Sequence, residues 1–180
     1  MRRRKRPAAA TLPEFAHSLK LDDSLLGWLP SPLLEPRRAW LAIVTGWVCA
    51  FFPSLALSWV AAQLFPNIQG PEFNVGGALA VFLLVLFAPL TETLIMAGLL
   101  VLLLRFVRPP VAILISAAGW GLAHSYAAPA WGLVIWWPFL IFSTLFVVWR
   151  QRGFLAGYGV AAATHALQNL APALLLATSN

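Results

Sequence analysis

Three ionisable side chains lie within long apolar stretches of this 180-residue chain: Glu92, His124 and His165. An ionisable group in hydrocarbon costs several kcal/mol unless it is partnered, so each is a candidate for chemistry. Asn169 follows His165 by four residues and shares its helix face, so the two can reach one point together. A carboxyl with two imidazoles supports three kinds of chemistry. It can activate a water for hydrolysis, hold a zinc ion with water in the fourth place, or relay protons across a membrane. The His-Glu-x-x-His spacing of helical zinc proteases is absent, so a zinc set of Glu92, His124 and His165 would have to be assembled from three separate helices. Any one of these groups alone is as readily explained as a hydrogen-bonded packing residue. Two weaker patterns carry little: Ser125 beside His124 could suggest a serine nucleophile, but adjacent residues on a helix do not face each other, and Gly157-Tyr158-Gly159 is similar to a potassium filter but lacks the preceding Thr-Val and continues into a helical run.

The elements that must position these groups are membrane spans. The chain is 61% hydrophobic and 10% charged, with a mean hydropathy of +0.81. These values place it among integral membrane proteins. Five apolar stretches, at 39–65, 77–104, 111–127, 130–149 and 154–177, predict an all-α polytopic bundle of about five transmembrane helices. Breakers mark the boundaries at Pro66, Gly70 and Pro71, at Pro109 and Pro110, at Pro129, and at Gly153. The third stretch is the shortest. Residues 39–180 are read as one bundle, and residues 1–38 as a basic cytoplasmic and interfacial segment. Within that segment 12–36 suits a short helix lying at the interface. The basic start is not a cleavable signal, because no apolar core follows it directly. The single Cys49 excludes an internal disulfide.

The net charge of +6 could suggest nucleic acid. The positions of the basic residues argue otherwise. All twelve Lys and Arg precede the first span, follow the second as Arg105 and Arg108, or follow the fourth as Arg150 and Arg152. That distribution satisfies the positive-inside rule with a cytoplasmic N-terminus, so the charge is accounted for by topology and anionic lipid. Counted at 1.5 Å per residue from the cytoplasmic end of each span, Glu92 lies about 18 Å deep, His124 about 20 Å and His165 about 17 Å. One layer can hold all three. Pro89 removes a helical donor one turn before Glu92, which predicts a kink there. Gly153, Gly157 and Ala161 lead up to His165 at four-residue spacing, which predicts close approach of another helix.

With these residues in place, the sequence resembles the CAAX-protease and bacteriocin-processing (CPBP, or Abi) intramembrane proteases. Their pattern is Glu-Glu-x-x-x-Arg after a proline, then Phe-x-x-x-His, then His-x-x-x-Asn or Asp, each on its own transmembrane helix. Here Pro89, Glu92 and Gly98 keep the first motif in register. Trp120 to His124 gives the second with Trp for Phe, and His165 to Asn169 gives the third in full. The resemblance covers about 77–170. Two departures stand out: the second glutamate is Thr93 and the arginine is Ala97.

What the resemblance implies is a metal-free glutamic peptidase. Glu92 would be the general base on the attacking water, His124 and His165 would position it and stabilise developing charge, and Asn169 would donate to the oxyanion. Substrates would be membrane proteins or lipidated peptides in or beside the bilayer, with C-terminal sorting tails or CAAX-like ends as candidates. The small size and reduced first motif are similar to a myxosortase-like branch of short bacterial members, which implies the bacterial inner membrane. Two other classes stay open. A non-catalytic scaffold or immunity protein would tolerate loss of Glu92, and a proton-coupled transporter would use the three groups as a relay.

Overall fold

The computed structural model describes residues 21, 24–67, 70–71 and 75–178. Among them every regular element is helical. A single turn, α1 (Ser31–Leu34), precedes α2 (Ala39–Leu64). Next come α3 (Gly77–Leu103), α4 (Pro109–Ser125), α5 (Gly132–Trp149) and α6 (Phe154–Thr178), with a 3₁₀ turn at Arg150–Arg152 between the last two. Helices α2, α3, α5 and α6 are each long and apolar enough to cross a membrane, α5 taken with its 3₁₀ turn. At 17 residues α4 falls just short of that length, in the place where the sequence predicts its shortest span.

Helix α5 is the axle of the bundle. Its sequence is apolar on all sides, the pattern of a helix buried all round, and it is buried without interruption from Pro138 to Trp149. The other helices show it narrow strips. On α2 the strip is Ala42, Gly46, Ala50 and Ser54, small residues four apart that bring two backbones together. A methyl group at Gly46 would sit 2.8 Å from Leu145 of α5. On the opposite side α4 and α5 close on Gly121 and Gly132. A methyl group at Gly132 would collide with Ser125 Oγ and the Gly121 carbonyl. Gly132→Ala is therefore expected to cost about 1 to 3 kcal/mol through overpacking, read as a lowered unfolding temperature in detergent. Ser143 of α5 and Ser116 of α4, both fully buried, satisfy each other at 3.0 Å.

Of the glycine stripe expected before His165, Gly157 and Ala161 are packed, and a methyl group at Gly157 would press on the Phe146 carbonyl at 2.8 Å. Gly153 is not part of it. Its φ of +119° makes it the turn between the 3₁₀ segment and α6, a conformation glycine adopts without a Cβ clash. Of the expected interfacial helix at 12–36, residues 12–20, 22 and 23 lie outside the described residues. Residues 24–34 form turns and α1, and Leu21, Leu26, Leu29 and Leu33 are buried in the bundle core. Trp28 stacks on Trp137 of α5, with ring centroids 6.0 Å apart. This segment is anchored against the helices.

Candidate active site

Helix α3 is built in three parts: an α section Gly77–Val81, a π section Phe82–Phe87, and an α section Ala88–Leu103. The cause is Pro89. In the π register Ala88 N–H donates to the Leu83 carbonyl, five residues back. The next amide would serve the Leu84 carbonyl, but Pro89 has no N–H. The Asn169 side chain supplies the missing donor, its Nδ2 lying 3.0 Å from the Leu84 oxygen. In an α register the orphan carbonyl would be that of Val85, four residues before Pro89. The π register moves it by one residue, and that shift brings Asn169 into use. One N–H of the Asn169 amide thus joins α6 to α3, and its second N–H is left for another acceptor. Replacing it by Leu leaves a carbonyl unpaired, so Asn169→Leu is expected to cost about 1 to 3 kcal/mol in thermal unfolding.

A turn beyond Pro89, Glu92 is half-buried with Oε2 3.8 Å from His165 Nε2. His165 is 3% exposed. Its ring stacks on Phe142, with centroids 4.6 Å apart and planes at 22°, and meets the edge of Phe139 at 5.3 Å. Its other nitrogen, Nδ1, lies 3.3 Å from the hydroxyl of fully buried Thr93. The residue that departs from the Glu-Glu pattern thus holds the histidine. Thr93→Val keeps the volume and removes the hydroxyl. If the protein cleaves peptides, this change is expected to slow it about five- to tenfold and, because it leaves the buried Nδ1 of His165 unpaired, to cost about 1 to 3 kcal/mol in thermal unfolding.

His124 lies near the end of α4, and its Nδ1 donates to the Trp120 carbonyl at 2.9 Å. That bond leaves Nε2 as the acceptor of the neutral ring. Trp131 meets His124 edge-on at 4.7 Å, and Phe139 lies 5.6 Å from it, so Phe139 touches both histidines. The four predicted residues, Glu92, His124, His165 and Asn169, line one cavity of about 860 Å³. Gln168 joins them with a buried Oε1 that has no protein partner.

Among the described residues, no three His, Cys, Asp or Glu side chains are grouped so as to hold a metal ion. Nδ1 of each histidine already faces a protein partner. The zinc set of Glu92, His124 and His165 is not drawn together here, although a histidine whose Nδ1 is held in this way keeps Nε2 for a ligand. Ser125 donates back to the Gly121 carbonyl, and Tyr158, inside α6, donates to the Leu90 carbonyl of α3. Neither the serine nucleophile nor an ion filter is built here. The sequence reading missed Phe139 and Phe142, which form the aromatic wall. They stand three apart in an unbroken apolar run, where no pattern separates a site residue from core.

The chain belongs to the type II CAAX prenyl endopeptidase Rce1-like family, within the CPBP proteases: the family model matches residues 74–171, more than half of the chain. The matched region holds α3 to α6 up to just beyond Asn169, and so every candidate residue. Neither the comparison with curated proteins nor that with solved structures gives a match. The family is one of intramembrane endopeptidases, in keeping with the apolar helices of an integral membrane protein.

Proposed function

We propose that the chain hydrolyses peptide bonds of membrane-embedded or membrane-adjacent proteins with a water activated by Glu92, in the plasma membrane of a bacterium. The observation that carries this reading is the 3.8 Å separation of Glu92 Oε2 and His165 Nε2 in a cavity that His124 also lines. That gap exceeds a direct hydrogen bond and suits a water that touches both groups. The water gives its proton to the Glu92 carboxylate as its oxygen attacks the peptide carbonyl, and the proton passes on to the leaving amine. No covalent acyl-enzyme forms.

In the tautomer this mechanism uses, the Thr93 hydroxyl donates to His165 Nδ1 and Nε2 carries the N–H that faces the water and the developing oxyanion. His124 Nε2 is an acceptor for the same water. Asn169 is a positioning residue that fixes the π section of α3 ahead of Glu92, and Phe139 and Phe142 fix the plane of the His165 ring. C-terminal sorting tails and CAAX-like ends are substrate forms that suit such a site.

The test uses purified protein in nanodiscs with single-pass membrane substrates, assayed with and without a strong chelator. Cleavage that survives chelation and disappears in Glu92→Gln is the expected result. Cleavage abolished by chelator and restored by zinc overturns the metal-free mechanism, and undiminished cleavage by Glu92→Gln overturns the role of Glu92.

A further inference from the structure

We infer, resting on the endopeptidase reading above, that the cavity receives its substrate from the non-cytoplasmic side of the membrane. The segment it admits is uncharged and apolar around the scissile bond. Each of the four helices that line the cavity does so from its middle to the end that points away from its basic end. On α3 the lining residues are Leu84, Ala88 and Glu92, while Arg105 and Arg108 follow the other end. On α5 they lie no further along than Phe142, while Arg150 and Arg152 follow Trp149. On α6, which starts just after Arg152, they begin at His165 and run on to Thr178. From His165 to Thr178 the rise is about 20 Å, enough to reach from the reacting groups to the helix end.

The two ends of the bundle are distinct. Pro71, Trp131 and Thr178 meet around the cavity at one end, whereas Leu104, Arg150 and Gln151 meet at the other. Between the candidate residues and the basic end, the core is sealed by fully buried Met96, Leu100, Ile113 and Phe146. The positive-inside rule puts Arg105, Arg108, Arg150 and Arg152 in the cytoplasm, which places the mouth on the opposite face.

The cavity wall also selects chemistry. Its described lining contains no Lys, Arg or Asp, and Glu92 is its single charged type. A charged substrate side chain drawn in beside Pro138, Pro172 and Leu175 would lose its hydration against an apolar wall whose one carboxyl, Glu92, is engaged with the water, a cost that apolar residues avoid.

The test begins with sidedness, which does not depend on catalysis. In a Cys49→Ser background, Thr178→Cys and, separately, Pro71→Cys are treated with a membrane-impermeant maleimide in right-side-out and in inverted vesicles, with Arg152→Cys as the opposite marker. Labelling of Thr178→Cys and Pro71→Cys in right-side-out vesicles, lost on inversion, is the expected result, with Arg152→Cys showing the reverse. Labelling of the two cavity positions only in inverted vesicles overturns the proposal. The second arm supplies single-pass reporters with an apolar, uncharged segment at one interface or the other. Cleavage is expected for the non-cytoplasmic segment and lost when a Lys is placed in it. Cleavage of the cytoplasmic reporter alone, or cleavage indifferent to the Lys, overturns the proposal. Labelling as expected with neither reporter cut upholds the sidedness and removes the endopeptidase reading.

Discussion

Glu92→Gln is expected to lower peptide cleavage by about two to four orders of magnitude while the protein folds and inserts normally. The substitution is nearly isosteric, and Glu92 makes no direct side-chain hydrogen bond among the described contacts that the amide would break, its Oε2 lying 3.8 Å from His165 Nε2. What disappears is the ability to accept a proton from water. The prediction is checked by comparing cleavage rates of the two proteins at equal abundance, with thermal unfolding as the control. A loss of rate accompanied by a large loss of stability would point to packing as the role of Glu92.

His165→Ala is expected to damage both quantities, for separable reasons. The imidazole is buried between Phe142 and Phe139 and touches the Thr93 hydroxyl, so its removal leaves an unfilled space and an unpaired polar group. The stability loss is expected to be about 2 to 4 kcal/mol, in the range for large-to-small core changes. Cleavage falls by at least about a hundredfold, because the group that faces Glu92 and the oxyanion is gone. His165→Gln separates the two effects. Its amide can still meet Thr93 and fill most of the space, so unfolding temperature recovers while the rate stays low. Full recovery of rate in the Gln variant contradicts a role for the imidazole at the reacting atoms.

Much of this arrangement was legible in the sequence because a membrane makes polar residues informative. Glu92, His124 and His165 stood out as ionisable groups in apolar runs, helix arithmetic set them at one depth, and the structure lines one cavity with all three. The helical class followed from span length and hydropathy. The contribution of α5 was not legible. Its run from Gly132 to Trp149 is so evenly apolar that nothing marks it as the central helix or sets Phe139 and Phe142 apart. The contact of Asn169 with Leu84 was also hidden, since it depends on a π register that a single proline made available and no residue pattern encodes. Thr93 was visible as a departure from the family motif, but its contact with His165 requires the crossing of α3 and α6, a long-range fact.

The most direct test of hydrolysis at Glu92 compares protein termini in membranes of cells expressing the natural chain, Glu92→Gln or His165→Gln, each confirmed as folded and equally abundant. The account predicts a set of new termini near apolar membrane segments that appears only with the natural chain. Identical termini in all three membranes, with a cellular phenotype retained by the variants, contradict it and leave a membrane protein that keeps the family's fold without its chemistry.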